Sequence, residues 1–428
     1  MIMVRSVLVV CAVCLLVPIA LHARGITSRY DVTFGGYVKY DFGWSSQNTS
    51  ADPAGAYRTS TLSRVVLGDE YGNTFMSGAE TRFNFLIKGP DLWGAKTSAF
   101  IEGDFRGVDT DNRYGGFQIR HAFLTLSWRK AELMIGQNWQ QWGMPYYVAA
   151  IGANDFAMYN RGVRQPQVAF RYLFTKELNA MFGAISATDA YGVIRGYNDG
   201  YAISDWPGLM GEFAYWTDRA GRIGPHNMKF ALGGYFGRHK EPGTDPADRS
   251  RIKDDTLNAW QATFRYSVPI IAERRGSKQM GLLLNGSFFI GQDSGGAGNF
   301  LSRDADSGTY TFTSRTGDWW TEAPQYFGLF SQASWWLTNA LSVNGIYGYV
   351  KRNFSSASRN GLPNLVNMQQ SYAASILWDA NESIRFGLQW MRIFTSYNGP
   401  GGGVGAGAGL AQSTGVIDQY RVGAWYFF

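Results

Sequence analysis

The sequence predicts an all-β fold, a transmembrane antiparallel β-barrel of about sixteen strands. Three observations lead to this prediction. The 428-residue chain contains 53 Gly and 16% aromatic residues at a mean hydropathy of −0.20, a composition that is too polar for membrane-spanning helices. Segments of about ten residues alternate between apolar and polar side chains. The chain also ends in such a segment, whose open edge needs a pairing partner.

Residues 1–23 predict a secretory signal peptide. One basic residue, Arg5, precedes the apolar run 7–20, and the small residue Ala23 is the expected cleavage point. The run is shorter than the about 20 residues that a membrane-spanning helix needs. Cleavage leaves residues 24–428 as the barrel. The two cysteines, Cys11 and Cys14, leave with the signal, so we expect a barrel without disulfides.

The last predicted strand, 418–428, has one apolar face and one mixed face. The apolar face carries Tyr420, Val422, Ala424, Tyr426 and Phe428. The first predicted strand, 31–44, divides in the same way. Pairing of these two strands in a closed barrel satisfies both the open edge and the apolar face, because lipid covers the outside. An ordinary C-terminal core strand is the alternative.

Further strands are predicted by the same alternation between these two. They cover residues 81–88, 95–105, 117–128, 131–137, 167–174, 178–185, 209–216, 227–237, 256–268, 280–291, 326–336, 341–350, 368–379 and 384–392. Short turns at 89–91, 129–130, 175–177, 337–339 and 380–382 alternate with long polar stretches such as 45–80. The strands 117–128 and 178–185 are apolar on both faces. We interpret them as facing a neighbouring subunit or a packed inner loop.

One stretch resembles a known family. Gly136-Gln137-Asn138-Trp139-Gln140-Gln141-Trp142-Gly143, preceded by Ile119-Arg120-His121-Ala122-Phe123, is similar to the fourth and fifth strands and the inward loop of Gram-negative sixteen-stranded outer-membrane porins. The DcaP-like and phosphate-selective group is the most similar branch. Residues 100–105 and 232–238 and the terminal strand extend the resemblance over most of the mature chain.

The resemblance implies a location, partners and a function. We expect a bacterial outer-membrane protein in contact with membrane lipid and lipopolysaccharide, assembled as a homotrimer. The barrel-assembly machinery would insert it, with Tyr426 and Phe428 as the assembly signal. The implied function is a passive diffusion channel for small hydrophilic solutes.

The resemblance also implies that residues 138–166 fold inward as a constriction loop, because a barrel of this size has a wide lumen. Trp139 and Trp142 are the predicted anchors of the loop. The predicted constriction residues are Tyr146, Tyr147, Asp155, Arg161 and Arg164. An ordinary surface loop is the alternative, although so many aromatic residues are unusual in a loop that faces solvent.

The charge pattern favours anions. The chain has 39 Lys and Arg against 33 Asp and Glu, a formal net charge of +6 that falls to +5 when Arg5 is removed with the signal. The predicted lumen-lining residues are Lys39, Arg82, Lys96, Glu102, Asp104, Arg265, Arg385 and Arg421. A basic excess in a narrow channel raises the local concentration of anions. Solvated charges that balance one another are the alternative.

Signals for catalysis and for cofactors are weak. Asp293-Ser294-Gly295-Gly296 is similar to a serine-protease nucleophile loop, but the expected histidine motif is missing. His121, His226 and His239 have no metal-ligand spacing, and we expect His121 to pack at an interface. The Gly-rich residues 399–409 lack the context of a phosphate-binding loop. We therefore predict no catalytic residue, no metal, no cofactor and no nucleic-acid partner.

Two functions from different classes remain at this stage. The first is the passive channel. The second is a structural sleeve that houses a partner protein, such as an electron-transfer cytochrome. Residues 138–166 distinguish them, because a constricted lumen suits small solutes and an open lumen suits a protein plug.

Overall fold

The computed structural model describes residues 30–46, 72–108, 114–152, 164–186, 206–244, 252–292, 310–313, 319–322, 325–353, 366–397 and 414–428. One sheet holds 17 strand segments, each antiparallel to its neighbours, and β1 closes it by pairing with β19 on one edge and with β2 and β3 on the other. Within the described residues, no helix is long and apolar enough to cross a membrane.

The strands follow one another along the chain with few exceptions. Their bounds are β1 Asp31–Ser45, β2 Asn73–Ser77, β3 Arg82–Lys88, β4 Lys96–Val108, β5 Tyr114–Ser127, β6 Ala131–Trp139, β7 Arg164–Leu173, β8 Leu178–Ile185, β9 Gly208–Ile223, β10 His226–Thr244, β11 Ile252–Ile271, β12 Leu282–Gln292, β13 Tyr310–Thr313, β14 Trp319–Glu322, β15 Gln325–Trp336, β16 Leu341–Asn353, β17 Val366–Asp379, β18 Ile384–Tyr397 and β19 Thr414–Phe427. The strands β13 and β14 form a separate hairpin.

The barrel has sixteen strands. The segments β2 and β3 both pair with β1, one after the other, so they are two halves of one interrupted barrel strand. At the closure, Tyr37 of β1 lies opposite Phe427 of β19, and the backbones of Gly36 and Phe428 exchange hydrogen bonds of 3.1 and 3.2 Å. The predicted fold class and the predicted closing strand are confirmed.

The two faces of the sheet have opposite chemistry. Phe213 and Leu232 are each 64% exposed on the outer face, whereas Lys39 on the other face is only 2% exposed. A water-soluble protein shows the reverse, because apolar surface is stabilised by leaving water. Lipid around the outside accounts for the pattern, and all backbone groups of a closed barrel can pair within the sheet. The barrel is therefore a transmembrane barrel.

Several strands extend beyond the predicted ends. The strands β10 and β11 remain paired as far as Thr244 opposite Ile252, although neither face of this part is apolar in sequence. Apolar and polar side chains alternate only in the part of a strand that has lipid on one side. The part of a strand that continues into water therefore has no such pattern in the sequence. The predicted loop 45–80 is wrong in the same way, because it contains β2.

A β-bulge explains the irregular pattern of β5. Glu102 of β4 lies opposite His121, but the next pair is Gly103 with Ile119, so Arg120 has no opposite residue. The extra residue directs the consecutive side chains Arg120 and His121 to the polar face. His121, which was expected to pack at an interface, lies on the polar face, 3.7 Å from Glu102.

The strand β8 is apolar on both faces for another reason. Phe182 is exposed on the outer face, and Met181 and Ile185 on the other face are buried in a cluster that includes Trp142 from the segment after β6. A packed inner loop was one of the two interpretations of this strand. The contact of Trp142 with the cluster of Met181 and Ile185 agrees with that interpretation.

Candidate functional site: the barrel lumen

Residues 140–152, here called the inner segment, lie along the polar faces of successive strands. Backbone N–H groups of the segment donate to one side chain after another: Gly143 to Glu212 of β9 at 3.1 Å, Tyr147 to Asn285 of β12 at 3.3 Å, Ala149 to Gln332 of β15 at 2.8 Å, and Ile151 to Gln389 of β18 at 2.8 Å. The last three donors are two residues apart, which is the spacing of an extended chain.

Carbonyl groups of the inner segment are held in the same way. Arg265 of β11 donates to Met144 at 2.9 Å, and Asn285 donates to Tyr147. Further on, Ser375 of β17 donates to Ala149 at 2.8 Å and Lys39 of β1 donates to Ile151 at 2.7 Å. The segment thus follows the wall from β9 to β1. Residues 153–163 lie outside the described residues, so the inward fold of the whole range 138–166 stays a prediction.

Both predicted anchors are in packed positions. Trp142 is fully buried and stacks on Tyr235 of β10, with ring centres 6.2 Å apart and an interplanar angle of 5°. Trp139 is the last residue of β6, and the Arg164 guanidinium lies 5.1 Å from its ring centre. Arg164, one of the predicted constriction residues, is the first residue of β7 and is buried.

Tyr146 lies within a group of cations. The guanidinium of Arg265 is 4.3 Å from the centre of the Tyr146 ring, and the ammonium of Lys229 is 5.3 Å from it. Arg171 and Lys229 also lie 5.3 and 6.0 Å from the ring of Trp216. Burial raises the pKa of the Tyr146 hydroxyl, so this side chain stays neutral beside the cations. We call Arg171, Lys229 and Arg265 the cation cluster.

One carboxylate contacts the cation cluster directly. Glu212 forms an ion pair with Arg265 and is buried. In the described part of the chain, Arg171 and Lys229 form no ion pair, although the Glu212 and Glu132 carboxylates act on Arg171, and the Asp218 carboxylate acts on Lys229, from a longer distance. Arg171 was not among the predicted lumen residues, although Val168, Phe170 and Tyr172 alternate with it and mark the opposite, apolar face.

Tyr147 contacts an apolar cluster. Its ring centre is 4.6 Å from that of His226, which in turn is 6.2 Å from Trp336. It packs against buried Ile223 and Leu283 at the same end of the barrel. The second predicted constriction tyrosine is therefore in a closed part of the interior.

Three predicted lumen residues of β3 and β4, Arg82, Glu102 and Asp104, form one ionic group. Arg120 donates to Glu102 and to Asp104, both at 2.7 Å, and Arg82 lies 3.9 Å from Glu102. Arg120 was not among the predicted lumen residues, because the bulge reverses the alternation of inward and outward side chains in β5.

Lys39 and Arg421 point inward and are almost completely buried, at 2% and 1% exposed. Lys39 contacts Glu80 and lies 3.0 Å from Asp41. Glu80 comes from residues 78–81, between β2 and β3, a range predicted as a surface loop. Both basic residues therefore contribute to the wall more than to a surface that solutes touch.

Structural comparison shows which proteins have this architecture. The outer membrane channel DcaP of Acinetobacter baumannii is similar over 94% of this chain and 99% of its own, with a TM-score of 0.69 and 14% identity. An anion-selective porin from Comamonas acidovorans is similar over 93% and 100%, with a TM-score of 0.56 and 12% identity. The trimer form of OmpT, an outer membrane protein of Vibrio cholerae, is similar over 94% and 100%, with a TM-score of 0.50 and 9% identity. The chain has the fold of the sixteen-stranded outer-membrane porins.

At the level of sequence the chain is distant from known families. No protein-family model matches it, and no curated protein matches it. The structural similarities, at identities of 9–14%, establish that the chain has the porin fold and nothing more.

The remaining predicted residues that the structure describes are Lys96, Arg385, Tyr426 and Phe428. Lys96 is 81% exposed and bonds Asp91 in the adjacent turn at 2.7 Å, so it is at the rim. Arg385 pairs with Asp379 at 2.5 Å. Tyr426 and Phe428 are exposed on the outer face, where the Phe428 ring is 5.4 Å from Phe34. Asp155 and Arg161 lie outside the described residues.

Proposed function

We propose that this chain is a bacterial outer-membrane porin, a passive diffusion channel for small hydrophilic solutes with a preference for anions. The observation that carries the proposal is the closed barrel with an apolar outside, a polar inside and an inner segment fastened to that inside. A barrel of this type offers water-soluble solutes a path through lipid.

Residues 138–166 are the proposed constriction. A sixteen-stranded barrel has a lumen too wide to select among small solutes unless something narrows it. The contacts of residues 140–152 with strands β9 to β1 support an inward course. We assign Tyr146 to the constriction and propose that Asp155 and Arg161 contribute charge there. Trp139 and Trp142 anchor the loop.

The cation cluster supports the preference for anions. Its side chains lie beside the inner segment, where low-dielectric walls make a charge act more strongly on a passing ion than it would on an open surface. Arg82 and Arg385 add cations elsewhere in the lumen, each beside a carboxylate. The similar structure from Comamonas acidovorans is described as an anion-selective porin, which agrees with this inference.

We propose a homotrimer in contact with lipid and lipopolysaccharide, inserted by the barrel-assembly machinery. A structurally similar outer membrane protein has a trimer form. The exposed apolar outer face supplies the surface for lipid and for neighbouring subunits. The sleeve for a partner protein is less well supported, because the inner segment occupies space that a protein plug would need.

The test is a recording of single channels in planar bilayers under a KCl gradient. We expect conductance in three steps per inserted trimer and a reversal potential with the sign of anion preference. Absence of channels from folded protein would refute the porin function, and a cation-selective reversal potential would refute the solute preference alone.

A further inference from the structure

We propose that Ile151 is the fixed end of the inner segment, held in a socket formed by Gly387 and Gly423, and that this socket sets the width of the passage. The effect on width depends on the proposed channel function, whereas the socket itself does not. Ile151 is a positioning residue in this proposal and does not need to contact solute.

The two glycines lie side by side on the inner wall. Gly387 of β18 pairs with Gly423 of β19, and each is two residues from a side chain that faces inward, Gln389 and Arg421 respectively. A Cβ atom on Gly387 would lie 2.8 Å from Cδ1 of Ile151, and one on Gly423 would lie 2.7 Å from its Cγ2. Carbon atoms in good contact are about 3.5–4.0 Å apart. Ile151 therefore occupies the space that two absent side chains leave.

The backbone of Ile151 is held on both sides of the socket. Its N–H donates to Gln389 at 2.8 Å, and its carbonyl accepts from the ammonium of Lys39 at 2.7 Å. The side chain is 3% exposed. Ile151 is thus held by three contacts: two backbone hydrogen bonds and the apolar contact of its side chain with the two glycines.

The interruption between β2 and β3 contributes to this arrangement. Residues 78–81 break the barrel strand and place Glu80 against the Lys39 ammonium, with Asp41 at 3.0 Å from the same group. Two carboxylates hold the buried ammonium in the position from which it can donate to Ile151. The interruption between β2 and β3 thus helps to hold Ile151, because Glu80 belongs to the residues that break the strand.

The socket holds the inner segment at β18 and β19. Trp142, stacked on Tyr235 of β10, holds the start of the segment. Next to Ile151, the backbone of Ala149 bonds Gln332 and Ser375, and Ala150 packs against a buried apolar cluster. Displacement of Ile151 by a new Cβ, by roughly 1 Å to restore normal contact, would strain these contacts and move the chain around Ile151 away from the wall and toward the lumen.

A disulfide test locates the socket without measuring conductance. In the double variant Ile151→Cys/Gly423→Cys the two Cβ atoms would be close, because a Cβ on Gly423 lies 2.7 Å from Cγ2 of Ile151, which is one bond from its Cβ. The separation is therefore at most about 4.2 Å, below the upper limit of about 4.5 Å for a disulfide. We expect the folded protein to lose both free thiols on mild oxidation with copper phenanthroline. The control Ile151→Cys/Gly345→Cys should keep them, because Gly345 is exposed on the outer face of β16. Free thiols in the first variant after oxidation, with folding shown by heat-modifiability, would overturn the socket.

A matched pair of substitutions then tests the passage. Gly387→Ala adds a Cβ beside Ile151, and Gly345→Ala adds one with nothing within 4 Å. We use Gly387 because its second contact is the milder one: a Cβ there would lie 3.1 Å from Cδ2 of Leu377, whereas a Cβ on Gly423 would lie 2.7 Å from the Trp425 ring. We expect conductance to fall by roughly a fifth or more, with greater current noise, in Gly387→Ala and to be unchanged in Gly345→Ala.

Unchanged conductance and noise in Gly387→Ala would overturn the role of the socket in setting the width. If the unmodified protein forms no channels, the porin function fails, and thiol loss in the cross-linking experiment still decides where Ile151 lies.

Discussion

The charge at Lys229 is the most direct test of anion preference. Its ammonium lies 5.3 Å from the centre of the Tyr146 ring on the inner segment, and in the described part of the chain it has no carboxylate within ion-pair distance. Solutes that pass the inner segment therefore meet a cation that no direct partner compensates. We predict that Lys229→Glu moves the reversal potential toward cation preference.

Coulomb's law gives the size of the change. The substitution alters the local charge by two units, which for an ion passing at about 6 Å in a water-like medium is worth about 1.4 kcal/mol. Screening at 0.15 M salt, with a Debye length of about 8 Å, reduces this to about 0.7 kcal/mol. The energies of anions and cations change in opposite directions, so the ratio of anion to cation permeability should fall about tenfold.

The assay is the reversal potential in planar bilayers under a KCl gradient, at low and at high salt. Lys130→Glu is the matched control, since Lys130 is exposed in the short turn between β5 and β6. The effect of Lys229→Glu should shrink at 1 M salt, where the Debye length is about 3 Å. If Lys130→Glu shifts selectivity and Lys229→Glu does not, the passage avoids the cation cluster and the reasoning is refuted.

Three further predictions concern the wall, the closing strand and the topology. Arg120→Met leaves Glu102 and Asp104 without their 2.7 Å partner and should destabilise the barrel by about 3–5 kcal/mol, measured as a lower temperature of heat modification, whereas Arg129→Met in the exposed turn should not. Phe428→Ala should reduce the yield of folded barrel without reducing secretion, and a normal yield would contradict its role in assembly. Protease added to intact cells should cut within 45–71 or 398–413 and spare the turns 129–130 and 380–382, and cleavage at those turns would reverse the topology.

The sequence predicted the barrel because one physical rule repeats in every strand. Lipid on one side and water on the other impose a period of two, so Val422 and Arg421 are assigned to opposite faces without knowledge of neighbours. The closing pair β1 and β19 followed from the same rule, since an apolar strand at an edge must be paired. Strand ends beyond the membrane carry no such signal, which is why β10 was predicted to end at 237 and ends at Thr244.

The candidate site was predicted less well, because it depends on contacts between distant residues. The bulge at Arg120 reverses an alternation that appears regular only within each half of β5. Glu80 was assigned to a loop because it lies in the interruption between β2, which ends at Ser77, and β3, which begins at Arg82. No local pattern shows that Gly387 and Gly423 face Ile151, since a glycine in a strand can equally mark a bulge or a tight bend.

Counting charges along the chain is therefore a poor guide to selectivity in this barrel. Lys39, Asp104, Arg120 and Arg421 all face inward and are nearly inaccessible, so they form part of the wall and a passing solute does not contact them. Much of the inner face from β15 to β19 is also closed, because Phe330, Val350 and Ile393 are buried in an apolar cluster against which Ala150 packs. Among the described residues, Arg385 is 37% exposed on this side of the barrel, and Arg82, Glu102 and the cation cluster lie on the opposite side. Selectivity in the proposed channel then depends on a few accessible charges, together with those proposed for Asp155 and Arg161, and a single substitution at Lys229 is expected to change the permeability ratio about tenfold.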